Sequence, residues 1–249
     1  RLGKLMPPRY GLLKYTLDAA HDAGIGDLHI YPFVTSFDQI LDVEEYVAEQ
    51  AGRVKKPESL QWLLGYVRSL HRPMGGVRVD LGEPVVVRQA AAPDDKLALA
   101  RIAFEVAVRA NRVTPLTVTA VMCLVLLGTA PRGATAQELV KLVAVLADWA
   151  RARGIRMTDE LAADDRAAFL VNVDRLAASG LLLRYDEGSS VVYAIEPARH
   201  PLASYYRNTI AHHFLDKSIL ELALFKVDDV ADGDVAAVFW TEAERLREL

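Results

Sequence analysis

Helical periodicity governs this sequence from about residue 96 onward, and it sets in abruptly. Apolar residues recur at three- and four-residue intervals over about 96–112, 116–128, 135–153 and 165–179. A further run from about 202 to 226 would make one rod of roughly 37 Å at 1.5 Å per residue. One hairpin is expected within this region, Leu181–Tyr185 and Val191–Ile195 around Asp186-Glu187-Gly188-Ser189-Ser190. Just before the helical region, Ala90-Ala91-Ala92-Pro93-Asp94-Asp95 reads as a linker entering a helix whose first turn is acidic, which suits the helix dipole. A domain boundary is expected there, dividing residues 1–92 from residues 93–249.

The first 92 residues show a different pattern. Residues 10–24 have helical spacing and end in a Gly-rich stop at Gly24 to Asp27. Leu28-His29-Ile30-Tyr31-Pro32-Phe33-Val34 is a short apolar run suited to a strand buried on both faces, with Pro32 near its end. Charged helices are expected at about 43–50 and 58–71, and Val77-Arg78-Val79-Asp80-Leu81-Gly82 alternates as a strand does. Helix, strand, helices, strand is an α/β order.

Composition narrows the functional classes. With 249 residues and 52% hydrophobic content, the chain can bury a substantial core. Its net charge is -4, and the basic and acidic residues number 11 and 11 in 1–92, then 18 and 22 in 93–249. A protein that binds nucleic acid generally needs a positive field over a whole face, so no nucleic-acid partner is expected. Cys123 is the only cysteine, which excludes an internal disulfide and suits a small hydrophobe packed in a reducing compartment. The longest apolar stretch, Leu116 to Leu127, is shorter than the roughly 18 to 20 residues that span a bilayer, and reads as a buried helix.

The chemistry with most promise stands at the start. Arg1, Lys4, Arg9 and Lys14 place four cations in fourteen residues with no acid among them. In Arg1-Leu2-Gly3-Lys4 a guanidinium fork, a glycine permitting close backbone approach and a second cation suit a phosphorylated ligand. The competing reading is a solvated basic terminus. With no initiator Met before it, the chain is expected to be a fragment opened inside an anion-binding motif. No metal site is expected, because His212 and His213 with Asp216 offer two ligands on one side of a helix without the third that a closed site needs. Gly24-Ile25-Gly26 lacks a dinucleotide fingerprint, and no serine sits in a nucleophile elbow.

Arg-x-Gly-Lys-Leu with Pro8 and Gly11, then Pro32, Phe37-Asp38, Glu58-Ser59-Leu60, Gly82-Glu83-Pro84, and late in the chain Tyr205-Tyr206-Arg207-Asn208 with Ile210-Ala211-His212, succeed one another in an order that resembles the bacterial glycerol-3-phosphate acyltransferases. The resemblance implies that residues 1–92 are the C-terminal part of an α/β acyltransferase domain and that 93–249 form a mainly α-helical domain. It aligns Arg1 with the second arginine of the family's Phe-x-Glu-Gly-x-Arg-Ser-Arg-x-Gly-Lys motif and implies substrate contacts at Arg1, Lys4 and Pro32. The activity implied is transfer of a fatty acyl group from acyl-CoA or an acyl-carrier protein to glycerol 3-phosphate in phospholipid synthesis. No cofactor is implied, and the location implied is peripheral, on the cytoplasmic face of the cell membrane. Phe37 and Asp38 fall where the family commonly has Tyr and Glu.

The family's catalytic pair, His-x4-Asp, is absent. None of His21, His29, His71, His200, His212 and His213 has an Asp five positions on. No catalytic residue is therefore assigned, and the 249 residues alone are expected to be inactive. Arg207 and Asn208 read as a structural bridge, with Glu196 or Asp216 as charge partners. A second reading takes 134–195, helix, helix and hairpin, as a winged-helix-like segment. Its second helix carries Arg166 and Arg175 against Asp165 and Asp174, without the cationic surplus that DNA reading needs, so it reads as a packing or interaction module. A third makes 93–249 a non-catalytic scaffold that docks to membrane or partner.

Overall fold

The structure is a computed structural model, and it describes residues 3, 6–40, 43, 52, 75–88, 96–163, 165–228 and 234–248. By packing, the chain divides into two compact units, Arg1–Thr209 and Ile210–Leu249. The described residues are mostly helical, with small antiparallel sheets. The boundary expected at 92/93 lies outside the described residues. So do the helices expected at 43–50 and 58–71, apart from Val43, which is helical and buried.

The first unit opens with α1 (Gly11–Asp22), whose apolar face buries Leu17 and Ala20. The single strand expected over 28–34 is in fact two short strands, β1 (Asp27–Ile30) and β2 (Phe33–Phe37), and neither is buried on both faces. Each pairs with a different partner. β2 runs antiparallel to β3 (Val77–Leu81), with Phe33 opposite Leu81 and Phe37 opposite Val77. β1 runs antiparallel to β4 (Val85–Arg88), a strand that the sequence pattern does not announce. Proline is the physical reason for the break: Pro32 has no N–H to give to a ladder, so the pairing changes partner there. Helix α2 (Lys96–Val113) then packs against β2, β3, β4 and α1.

The core of the unit is α3 (Val118–Thr129). It is apolar all round, as a helix enclosed on every side must be, and it buries Val118 through Cys123 together with Val125 and Leu126. Each such side chain taken fully from water stabilises by roughly 1.5–3 kcal/mol for residues the size of Val or Leu. Thr117 caps its start by accepting the Ala120 N–H at 3.2 Å. Cys123 is buried there, and burial pushes its thiol pKa up, with the field of Arg207 opposing the rise. It behaves as the packed hydrophobe expected.

Around α3 lie α4 (Ala136–Ala152), the short α5 (Asp159–Ala162) and α6 (Arg166–Ala178), with the hairpin β6 (Leu183–Tyr185) and β7 (Val192–Ala194) after them. A two-residue strand, β5 (Ala134–Thr135), adds to the far side of β7, giving the order β5-β7-β6. Thr135 both ends β5 and starts α4. Its hydroxyl accepts the Glu138 N–H at 3.2 Å while the Glu138 carboxylate accepts the Thr135 N–H at 2.8 Å. Those bonds hold the Glu138 carboxyl below its ordinary range, so this reciprocal cap is complete at neutral pH and weakens as acid protonates it. On the other side of the sheet the Tyr193 hydroxyl donates to Asp174 at 2.6 Å, tying β7 to α6.

The strand pairs and the helices are joined by a buried carboxylate. Asp80, on β3, is 4% exposed. Arg78 Nε donates to it at 2.9 Å and Arg156 Nη1 at 3.1 Å. Arg156 is held in place by its main chain: its carbonyl accepts the Leu116 N–H at 2.9 Å, and the Leu116 carbonyl accepts the Thr158 N–H at 3.0 Å.

The long rod expected at 202–226 is interrupted. α7 (His200–Ile210) gives way to a 3-10 turn at Ala211–His213, and α8 (Leu215–Asp228) begins afresh. Thr209, Ile210, His212 and His213 are all weak helix formers, and apolar spacing does not report such a local loss. Within the second unit, α8 packs on α9 (Val235–Arg247), whose start is capped by Asp234 accepting the Ala236 and Ala237 N–H groups at 3.1 and 3.2 Å.

Replacing Asp80 tests the joint between strands and helices. Asp80→Asn leaves two guanidinium groups without their shared anion, and the urea midpoint should fall by the equivalent of about 1–3 kcal/mol at unchanged slope. An unshifted midpoint would show that the bridge contributes nothing to stability.

Candidate functional site

Pro32 and Phe37-Asp38, which the sequence motifs single out, lie at the two ends of β2, separated by roughly 17–20 Å at about 3.3 Å per residue, while Glu58-Ser59-Leu60 lies outside the described residues. At the first end, Pro32 meets the turn Gly82-Glu83-Pro84 that joins β3 to β4. The Pro32 carbonyl accepts the Gly82 N–H at 2.8 Å. Gly82 is required by contact, since a Cβ there would lie 2.9 Å from Pro32 Cγ and 3.4 Å from the Arg109 carbonyl oxygen. Arg109, on α2, grips the same turn. Its Nη1 donates to the Pro84 carbonyl and, at 3.4 Å, to the Glu83 carbonyl, and its Nε is paired with Glu105 at 2.8 Å. Pro32 is buried in this joint.

At the second end, β2 runs into Phe37-Asp38. The Asp38 carboxylate accepts the Gly76 N–H at 2.7 Å, and the Asp38 N–H donates to the Gly76 carbonyl at 3.1 Å. The next two residues are tied to distant helices: Gln39 Nε2 donates to Ser179 Oγ at 3.0 Å, and the Ile40 N–H donates to the Tyr206 hydroxyl at 3.0 Å. A narrow polar cleft here is lined by Asp38, Gln39, Glu160, Asn172 and Arg175 among others. Tyr206 packs edge-on against Tyr205, with ring centroids 5.6 Å apart.

Gly3 belongs to this second end. It has φ +73°, and a Cβ built on it would lie 2.9 Å from the Tyr205 carbonyl carbon and 3.2 Å from its Cα. The main chain at Gly3 therefore lies directly against the main chain of α7. Arg1 and Lys4, the two cations expected to contact substrate, lie outside the described residues. Arg207 donates through Nε and Nη2 to Asn208 Oδ1, at 3.1 and 2.8 Å.

The remaining candidates stay apart from this chemistry. His29 stacks on Tyr31 with centroids 6.5 Å apart, and His212 and His213 lie against each other at 4.0 Å. Among the described residues no group of three His, Cys, Asp or Glu side chains could hold a metal ion. An open apolar groove of about 430 Å³ runs between α1 and β1, lined by Tyr15, Thr16, Ala19, Ala20, Ile25 and Leu28.

Sequence reasoning missed Asp80, Arg109 and Arg156. Arg109 and Arg156 sit where nothing local marks their long-range partners. Gly82 and Tyr206 stand out only within motifs, without a role. Gly82→Ala tests the Pro32 joint: forcing a methyl against the proline ring should cost about 1–3 kcal/mol by overpacking, read as a lowered thermal midpoint. An unchanged midpoint would mean that the joint gives way freely.

The family profile described as glycerol-3-phosphate acyltransferase C-terminal region matches residues 46–249. A protein named as an acyltransferase, plsB1, is 34% identical over 257 residues in both Mycobacterium bovis and Mycobacterium tuberculosis, a match covering 100% of this chain and 41% of that protein. A glycerol-3-phosphate acyltransferase of Alteromonas mediterranea is 24% identical over 253 residues, covering 94% of this chain and 30% of that protein. The chain thus spans less than half the length of these relatives. The motif order and a profile match over most of the sequence agree, and the chain belongs to the glycerol-3-phosphate acyltransferase family, matching its C-terminal region.

Proposed function

We propose that this chain is the C-terminal part of a glycerol-3-phosphate 1-O-acyltransferase, which moves a fatty acyl group from acyl-CoA or an acyl-carrier protein to the 1-hydroxyl of glycerol 3-phosphate. The observation that carries the reading is the meeting of early and late segments of the chain, Gly3 with Tyr205 and, across 166 residues, Ile40 with Tyr206. In this reading Arg1 and Lys4 bind the phosphate by charge-assisted hydrogen bonds. Pro32, at the opposite end of β2, holds that strand in place at some distance from the phosphate. The general base is the histidine of a His-x4-Asp pair carried by the rest of the enzyme, because none of the six histidines here has that spacing. No bound cofactor is needed for attack of a positioned hydroxyl on a thioester.

The proposed division into the end of an α/β acyltransferase domain and a helical domain fits two features of the packing. Phe33, Phe37, Val77, Val79 and Leu81 share the outward face of β2 and β3 and are exposed, Phe33 by 66% and Val79 by 61%. That apolar face suits cover by the part of the longer relatives that has no counterpart here. The segment 134–195, in turn, has the helix, helix and wing order of a winged-helix-like module, with the strand order β5-β7-β6. We read it as a packing module without nucleic acid as partner, since Asn172 and Arg175 of α6 face the cleft at Asp38. A salt-sensitive shift of duplex DNA by the chain would reverse that reading.

The product of such an enzyme is a lipid, which favours a peripheral site on the cytoplasmic face of the cell membrane for the whole protein. Among the described residues no helix is long and apolar enough to cross a membrane. Exposed apolar side chains of the second unit, Phe225 at 70% and Trp240 at 60%, offer surface contact instead. The chain should float with anionic liposomes and lose lipid on Phe225→Ser. Sedimentation without lipid at both low and high salt would remove the membrane from the proposal.

Arg1 gives the sharpest test of the substrate assignment. In the full-length enzyme, Arg1→Ala should lose a charge-assisted contact of about 1.5–3 kcal/mol and raise the KM for glycerol 3-phosphate about tenfold or more. The 249 residues alone should give no turnover. Unchanged kinetics for the variant would take Arg1 out of the site, and acyl transfer by the 249 residues alone would place the base within them.

A further inference from the structure

Helix α2 carries both cations and apolar surface on the side turned away from the strands. It packs on β2, β3, β4 and α1 and buries Ala103 and Val113. Leu97, Arg101, Phe104, Val108 and Arg112 follow one another by three or four residues, which places them within about 80° of arc on the opposite face, along roughly 22 Å of helix. Leu97 is 61% and Phe104 69% exposed, and Arg101 and Arg112 are exposed beside them. Over its 18 residues α2 holds Lys96, Arg101, Arg109 and Arg112 against Glu105 alone, while Asp94 and Asp95 just before it lie outside the described residues. Glu105 is taken by Arg109 at 2.8 Å. Among the described residues neither Arg101 nor Arg112 has an ion-pair partner.

We propose that this outer stripe of α2 is a contact surface for anionic lipid headgroups. The role deepens the peripheral location proposed above and rests on it. Charge separates the stripe from the other exposed apolar face of the first unit. On β2 and β3 the outward residues Phe33, Phe37, Val77, Val79 and Leu81 are all uncharged, which suits cover by protein. The stripe of α2 instead alternates apolar and cationic side chains, so a protein laid over it would take two guanidinium groups out of water and would have to bring an acid to each. A headgroup layer supplies phosphates, which a guanidinium fork binds well. Leu97 and Phe104 then need to enter only the shallow boundary between headgroups and acyl chains. Attraction of one kind alone holds a membrane weakly, and the basic stripe complements the apolar side chains Phe225 and Trp240 of the second unit.

The test reads lipid contact at the helix itself. Cys123 is the only cysteine and is buried, so Phe104→Cys gives the 249-residue chain one accessible thiol for an environment-sensitive fluorophore. On vesicles of mixed phosphatidylglycerol and phosphatidylcholine the emission should shift to the blue and return as salt is added, and on phosphatidylcholine alone it should not move. In the full-length enzyme, Arg101→Glu together with Arg112→Glu should raise the Kd for the mixed vesicles about tenfold or more. Phe104→Ser weakens binding at constant charge and answers the question if the charge reversal does not fold. An unmoved label would overturn the inference. So would full-length variants that bind like the unsubstituted enzyme, which would show that the rest of the enzyme covers α2. Weakened use of an acyl-carrier-protein donor with vesicle binding intact would assign the stripe to that donor instead. If Phe225→Ser releases the vesicles and the α2 variants do not, the stripe loses its role while the membrane location stands. If the unsubstituted enzyme binds no vesicles, both fall together, and the acyltransferase reading still stands or falls with Arg1→Ala.

Discussion

The carboxylate of Asp80, enclosed between Arg78 and Arg156, is the contact on which the architecture of the first unit turns. A carboxylate out of water must have its partners supplied by the protein, and here one comes from its own strand and one from a loop some seventy residues later. That requirement chooses the inward face of β3. Arg78 and Asp80 are directed toward the helices, and Val77, Val79 and Leu81 consequently face outward with Phe33 and Phe37 of β2. The Asp80 hydrogen bond raises the already high pKa of Arg78, so this guanidinium stays charged over any pH at which the chain is folded. Such a pair contributes less to net stability than to register and orientation, since desolvation offsets much of its attraction.

With the sheet oriented in this way, both ends of β2 become fixed points. Arg109 and Gly82 clamp the Pro32 end, and Tyr206 and Ser179 hold the end beyond Asp38. The strand is short, and its position is set by helices that come after the sequence break at Pro93. Family membership gives this arrangement its meaning. Among the described residues, Pro32 with Gly82-Glu83-Pro84 and Phe37-Asp38, modest singly and in separate stretches of sequence, meet at one strand, which Tyr206 helps to hold.

Much of the secondary structure was legible because apolar spacing and capping residues are local signals. Thr117, Thr135 and Asp165 start helices close to where the periodicity places them, and the 181–195 hairpin is present around its polar turn. The departures have physical causes. Pro32 separates two strands instead of closing one, because a missing N–H breaks pairing more decisively than apolar character sustains it. The weak helix formers from Thr209 to His213 break a rod that the Leu and Ile spacing carries straight through. The candidate site was legible in its motifs but not in its wiring. Alternation in β3 reveals a strand but not that its charged face turns inward, since that depends on Arg156. Tyr206 and Arg109 were hidden for the same reason, as partners chosen in three dimensions.

The central claim is that the strands before Pro93 and the helices after it open as one body, held by the Asp80 and Tyr206 contacts. Native-state hydrogen exchange of the 249-residue chain tests it most directly, by comparing the amides of Ile40 and Gly82 with that of Val121 in α3. The account predicts that all three converge on one opening free energy, within about 1 kcal/mol, as denaturant is added. Exchange at Ile40 and Gly82 through a separate, lower and denaturant-insensitive opening would contradict it.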